Sequence, residues 1–130
     1  MATFGPSLIA SFATNADLSG DSYRIVKVSG DNNVIRATAT TDVLLGVLTD
    51  GVALGTATAP SGVSVQIAGI AKIVAGVDNI QEGHPLSCDG QGRAVIATTG
   101  DHLIGRAISS SSAVGDVIEC LLTPALIYKT

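Results

Sequence analysis

The chain has 130 residues, enough for one domain with its own core and no need of a disulfide or metal to hold it together. Only 14% of the residues are charged against 46% hydrophobic, and eleven Asp and Glu outnumber seven Lys and Arg, for a net charge of −4. No basic cluster offers itself to phosphates and only two Phe and two Tyr could stack on bases, which argues against nucleic acid; the same shortage argues against a membrane surface, and no apolar run approaches the roughly 18 to 20 residues of a spanning helix.

In chain order, residues 1–20, MATFGPSLIASFATNADLSG, come first. They carry both phenylalanines, lack strict alternation, and have no positively charged lead of a secretory signal, so a reducing compartment is expected during synthesis. They read as an N-terminal arm ordered on binding, with a first barrel strand equally arguable. Residues 21–130 read as one β-domain. Short runs of Val, Ile and Thr are divided by turn signals such as SGDNN, TDG, APSG, DGQG and TTGD at the spacing of all-β barrels and sandwiches. GVSVQIAG and GDVIECLL alternate as strands do when one sheet face is buried. The fold expected is all-β, a small barrel with an internal duplication.

The duplication is explicit in the residues. YRIVKVSGDNNVIRATATTDVLLGVL parallels HPLSCDGQGRAVIATTGDHLIGRAI about sixty residues later. Each copy has a short strand, an Asp-containing turn, a Val-Ile strand ending in Ala-Thr, a second turn, and Leu-x-Gly inside an apolar strand. Two copies are too few for a solenoid, so an internal pseudo-twofold closing one barrel-like core is expected. Tyr23 then stands for His84.

The richest chemistry lies in EGHPLSCDGQGRA, residues 82–94, where His84, Ser87, Cys88 and Asp89 are the residue types of nucleophilic catalysis. Alternation puts His84 and Cys88 on one face of a strand and Ser87 on the other, and Asp89-Gly90 opens a turn, so the segment reads as a hairpin arm. His84, His102, Cys88 and Cys120 add up to a zinc quartet without the usual ligand spacing. A Cys88–Cys120 disulfide stays open on these grounds. APSGVS, residues 59–64, resembles the Ser-Gly phosphate-contacting motif of trimeric dUTPases, an all-β nucleotide hydrolase family, but the rest of that pattern is missing and a turn at Pro60 and Gly62 is the plain reading. ISSSSAVGD, residues 108–116, reads as a flexible, solvated loop tip. No catalytic, cofactor or metal site is expected. So few charges on a chain this size instead point to a surface that meets protein.

HPLSCDGQGRA, followed by LIGRAISSSSAVGDVIECLL, resembles the capsid decoration, or cement, proteins of tailed bacteriophages. These commonly carry a Gly-x-Pro-Leu strand, an Asp-Gly turn, an Ile-Gly-x-Ala strand and a closing Gly-Asp-x-hydrophobic strand. The resemblance runs from Tyr23 to Leu122. It implies a small barrel or tulip-like protein, made in the host cytoplasm and carried on the outer surface of the virion. Such a protein binds the major capsid protein of the expanded head, usually as a homotrimer at threefold or quasi-threefold positions, and stabilises the shell without catalysis or cofactor. Phe4, Leu8 and Phe12 of the arm are the expected partner-binding anchors, since large apolar side chains dominate interface energies. A dUTPase-like trimeric nucleotide hydrolase is the alternative.

Overall fold

The computed structural model of the chain describes residues 8–16, 18, 20–49 and 61–128, and all regular structure among them is β. The strands are β1 (Leu8–Thr14), β2 (Ile25–Val28), β3 (Val34–Arg36), β4 (Leu44–Leu48), β5 (Ser61–Ala68), β6 (Ile70–Val74), β7 (Pro85–Cys88), β8 (Ala94–Ile96), β9 (His102–Ala107) and β10 (Val117–Ile127). They form two five-stranded antiparallel sheets, ordered β1-β5-β4-β2-β3 and β6-β10-β9-β7-β8.

The second order is the first repeated, strand for strand. Val26 faces Arg36 and Gly46 as Leu86 faces Ile96 and Gly105. Left-handed backbone recurs at matching places, at Tyr23 (φ 63) and Gly83 (φ 89), and at Asn32 (φ 53) and Gly92 (φ 71). In the turn before the fourth strand, Asp42 accepts the Thr38 N–H and Asp101 the Thr98 N–H, both at 2.9 Å. The duplication therefore holds, with Tyr23 in the place of Gly83 and not of His84. The copies meet head to tail and not about the expected pseudo-twofold: Ile25 donates its N–H to the Gly92 carbonyl, whereas the matching Asn32 carbonyl takes the Ala13 N–H of its own copy. The duplication also begins a strand earlier than Tyr23: β1, inside the segment read as an arm, lines β5 as β6 lines β10.

The duplicated Leu-x-Gly motif has a steric cause. A Cβ on Gly46 would run into the Gln66 carbonyl oxygen, and one on Gly105 into the Leu121 carbonyl oxygen and the Cys120 sulfur. In both sheets the neighbouring strand lies where a side chain would be, so glycine is required at both sites.

The barrel expected from the sequence is not closed. Each sheet curls until its outer strands meet, but only at a single parallel bridge, Ala13–Asn33 in the first and Ala75–Ala94 in the second. Each of the two modules has its own interior. Leu18, Val26, Val34, Leu48, Val63 and Val65 fill the first, with Phe12 and Ile67 against them. The second interior, around Ile73, Leu86, Ile104, Ile118 and Cys120, continues into Ile25, Ala37, Leu44 and Val47 of the first module. Neighbours on one strand, Ile25 with Val26 and Val47 with Leu48, point to opposite faces and are all buried, because the second module covers the outside of the first.

Gly46→Ala and Gly105→Ala are each expected to destabilise the protein by about 1–3 kcal/mol, the usual cost of overpacking. Gly62→Ala, whose Cβ meets nothing within 4 Å, is the control and should leave thermal melting nearly unchanged.

Candidate functional site

Residues 82–94 fold as the hairpin the alternation suggests. His84 completes the turn into β7, its Nδ1 accepting the Gln81 N–H at 3.0 Å. Asp89 opens the next turn: Oδ1 accepts the N–H groups of Gln91 and Arg93 at 2.8 and 2.9 Å, and Oδ2 holds the Arg93 Nε at 2.9 Å. Ser87 is fully buried and its hydroxyl has no hydrogen-bond partner among the described residues, so no base is in place to activate it.

The thiols are equally unsuited to nucleophilic work. Burial, with the Asp42 carboxylate behind it, pushes Cys88 up to about 11, and its Sγ donates to the Ala39 carbonyl at 3.0 Å. Burial alone pushes Cys120 up to about 12. Both are free, and a reactive or ligating cysteine needs the opposite shift. Among the described residues no three His, Cys, Asp or Glu side chains come together, so the quartet of His84, His102, Cys88 and Cys120 does not converge.

Of APSGVS, residues 59 and 60 lie outside the described residues, and Gly62–Ser64 belongs to β5, paired along β1, with no loop to cradle a phosphate. The serine-rich segment is a built turn and not the loose loop tip expected from its composition. Ser111 is buried, its hydroxyl accepting the Ile80 N–H at 3.1 Å and donating to the Val77 carbonyl at 2.9 Å. Asp116 Oδ2 accepts the N–H groups of Ser112 and Ala113 at 2.9 and 3.0 Å.

A cleft of about 320 Å³ opens where the modules meet, with Tyr23, Val47, Thr49 and Gln66 on one side and Ile70 and Lys72 on the other. Gln66 spans it, its Nε2 donating to the Ile70 carbonyl at 2.9 Å. Among the described residues its walls carry one ammonium, the hydroxyls of Tyr23 and Thr49 and no carboxylate, and the Gln66 bond ties the two modules together across it.

What the fold does present is apolar surface. Leu8 and Ile9 on β1, Val28 at the end of β2 and Val43 before β4 are exposed on the first module; Ile108, Val117 and Leu121 are exposed on the second. The second patch is studded by Arg106, directly opposite Leu121, and by the cross-strand pair Lys72 and Glu119. Of the anchors expected from the sequence, Leu8 is 55% exposed, Phe12 is half-buried against the smaller core, and Phe4 lies outside the described residues. Val28, Val43 and Leu121 carry no motif. Their signal lies in comparing the copies, where each stands opposite a more polar residue: Cys88, His102 and Gln66 respectively.

The chain has relatives of known kind. Residues 28–122 match the model of the phage cement protein family. Among solved structures, the fold is similar to the N base of the head fiber protein gp8.5 of bacteriophage phi29, with a TM-score of 0.69 at 17% identity, covering 95% of this chain and 100% of that one. No curated protein sequence matches.

Two outcomes follow from the titrating groups. At pH 8 the raised thiol values leave on the order of a thousandth or less of either cysteine as thiolate, so labelling by a disulfide reagent should be slow in the folded protein and stoichiometric in denaturant. Burial raises the Asp42 carboxyl, but the Thr38 N–H and the Lys27 ammonium, at 3.1 Å, outweigh it and leave it below its ordinary value; the Ser112 and Ala113 N–H groups lower Asp116. This stabilisation is complete above the unfolded carboxyl value of about 3.9 and is lost as pH falls through the lower folded values. Melting temperature should therefore hold from neutrality to about pH 5 and fall below about pH 4, with a shallower fall in Asp42→Asn.

Proposed function

Because the chain belongs to the phage cement protein family and is a structural protein of the phage capsid, we propose that it decorates the outer surface of the expanded head. It binds the major capsid protein there and stabilises the shell, as a homotrimer and without catalysis. The observation that carries this reading is the pairing of a family match over residues 28–122 with open aliphatic faces on a chain only 14% charged. Such faces favour binding through area. A standard specific interface buries about 800 Å² per partner, and a symmetric shell multiplies the strength of each contact by avidity. Leu8, at the start of β1, is the most exposed large apolar side chain among the described residues of the N-terminal segment, which supports its use as a shell contact.

Purified protein added to expanded heads that lack it should bind saturably, cosediment with them, and raise the temperature at which they release DNA. Leu8→Glu should weaken uptake several-fold with its own melting temperature unchanged. Heads that take up none of the wild-type protein would overturn the reading, as would turnover of deoxynucleotides in the presence of magnesium.

A further inference from the structure

The copies part company at a backbone position that calls for glycine. Tyr23 is left-handed at φ 63, where the second module has Gly83 at φ 89. A bulky side chain on left-handed backbone is strained, and such strain gathers at ligand clamps and other working sites. The Tyr23 side chain does not offset it with a hydrogen bond to any described residue. It is half-buried and walls the cleft of about 320 Å³ between the modules.

The residue beside it differs as well. In the second module Arg106 Nη1 donates to the Gly83 carbonyl at 2.9 Å. Its counterpart in the first module is Val47, which has no donor, and the Tyr23 carbonyl accepts the Val74 N–H across the joint at 3.0 Å instead. The first module thus keeps a large aromatic where the second has none, and a short aliphatic where the second has a long cation. Both exchanges fall on the wall of one cleft.

The polar groups of that wall divide into spent and unspent. Gln66 Nε2 donates to the Ala68 and Ile70 carbonyls at 3.2 and 2.9 Å, and the Thr49 hydroxyl donates to the Ser64 carbonyl at 3.1 Å. The Tyr23 hydroxyl and the Lys72 ammonium have no acceptor among the described residues. Lys72 stands opposite Glu119 in register, yet the carboxylates that pair with Lys or Arg among the described residues are Asp42, Asp21 and Asp89. Val47 and Leu48 are buried beneath the cleft, while Ile70 and the Tyr23 ring reach its opening.

We propose that this cleft binds a carboxylate carried on a short aliphatic body, with Lys72 and the Tyr23 hydroxyl donating to the carboxylate and the Tyr23 ring and Ile70 holding the body. An ionised carboxylate only accepts hydrogen bonds and so matches donors that lack acceptors. A single ammonium beside an aromatic ring and an aliphatic side chain suits one negative charge with apolar bulk better than a phosphate, which draws several cations. At about 30 Å³ for each water-sized group, 320 Å³ holds about ten non-hydrogen atoms, the size of one aliphatic residue with its terminal carboxylate. That chemistry is offered equally by a small free acid and by the last residue of a polypeptide. The site does not depend on the capsid contact proposed above.

The test uses the full chain with N-acetyl-leucine as probe and N-acetyl-leucinamide, of the same size and uncharged, as its control. Titrated to about 20 mM and followed by amide chemical shifts, the acid should bind with a Kd in the millimolar range, as about a dozen non-hydrogen atoms allow, and move the signals of Tyr23, Thr49, Gln66 and Ile70. The amide should bind about fivefold more weakly, and Lys72→Gln should weaken the acid by the same factor while leaving the amide unchanged. Lys72→Arg should keep the preference for the acid. Tyr23→Gly, which installs the residue of the second module, should weaken acid and amide alike with circular dichroism unchanged. Acetyl-Ala-Ala-Leu separates the sources: binding at least as tight as the single residue assigns the cleft to a chain end, and loss of binding assigns it to a free acid. No shift with the acid, equal binding of acid and amide, or full acid binding in Lys72→Gln would each overturn the site.

Discussion

The architecture depends on two strands that are apolar on both sides. Ile25 and Val26 on β2, and Val47 and Leu48 on β4, are consecutive residues pointing to opposite faces, and all four are buried. A strand of this kind cannot border water on either face, so a five-stranded sheet built on it needs a second body against its outside. The second module is that body. Its interior and the outer face of the first sheet form one continuous core, while the first module keeps a smaller interior of its own.

The same arrangement accounts for a surface with little chemistry and much area. The polar residues that catch the eye in the sequence are consumed in building turns. Asp42, Asp89, Asp101 and Asp116 each accept backbone N–H groups of their own turns, and Ser111 stitches one loop to another. Each such carboxylate satisfies donors that a turn leaves without partners. What remains outside is thinly charged and carries aliphatic patches around Leu8, Ile9, Val28 and Val43 and around Val117 and Leu121, the composition of a contact surface.

Much of this was legible in the residues. Alternation in GVSVQIAG and GDVIECLL located β5 and β10, and the shared Asp-turn and Leu-x-Gly pattern revealed the repeat, because both motifs answer to local geometry that a single copy already imposes. The relation between the copies was not legible. Deciding between a twofold and a head-to-tail joint requires knowing which module's Gly92-like turn meets which module's Ile25-like strand, and both versions of each are present in the chain. β1 escaped the repeat because LIASFAT matches IAKIV in register and hardly at all in composition, its Phe12 standing where Ile73 stands. The open faces escaped for a similar reason: Leu121 lies in an alternating strand where exposure and burial look alike until the neighbouring sheet is in place. The segment 82–94 was read correctly as a hairpin because strand period and turn chemistry agreed there.

One residue, Gly69, separates the last strand of the first module from the first strand of the second, and its backbone is left-handed at φ 88. A linker this short has no slack, so the angle between modules is set covalently and cannot be adjusted as a hinge would allow. In any assembly that reuses this angle from one subunit to the next, a few degrees of error at Gly69 would add up around the circuit. The dihedral of a single glycine thereby helps decide whether such a chain of modules meets its own beginning or spirals past it.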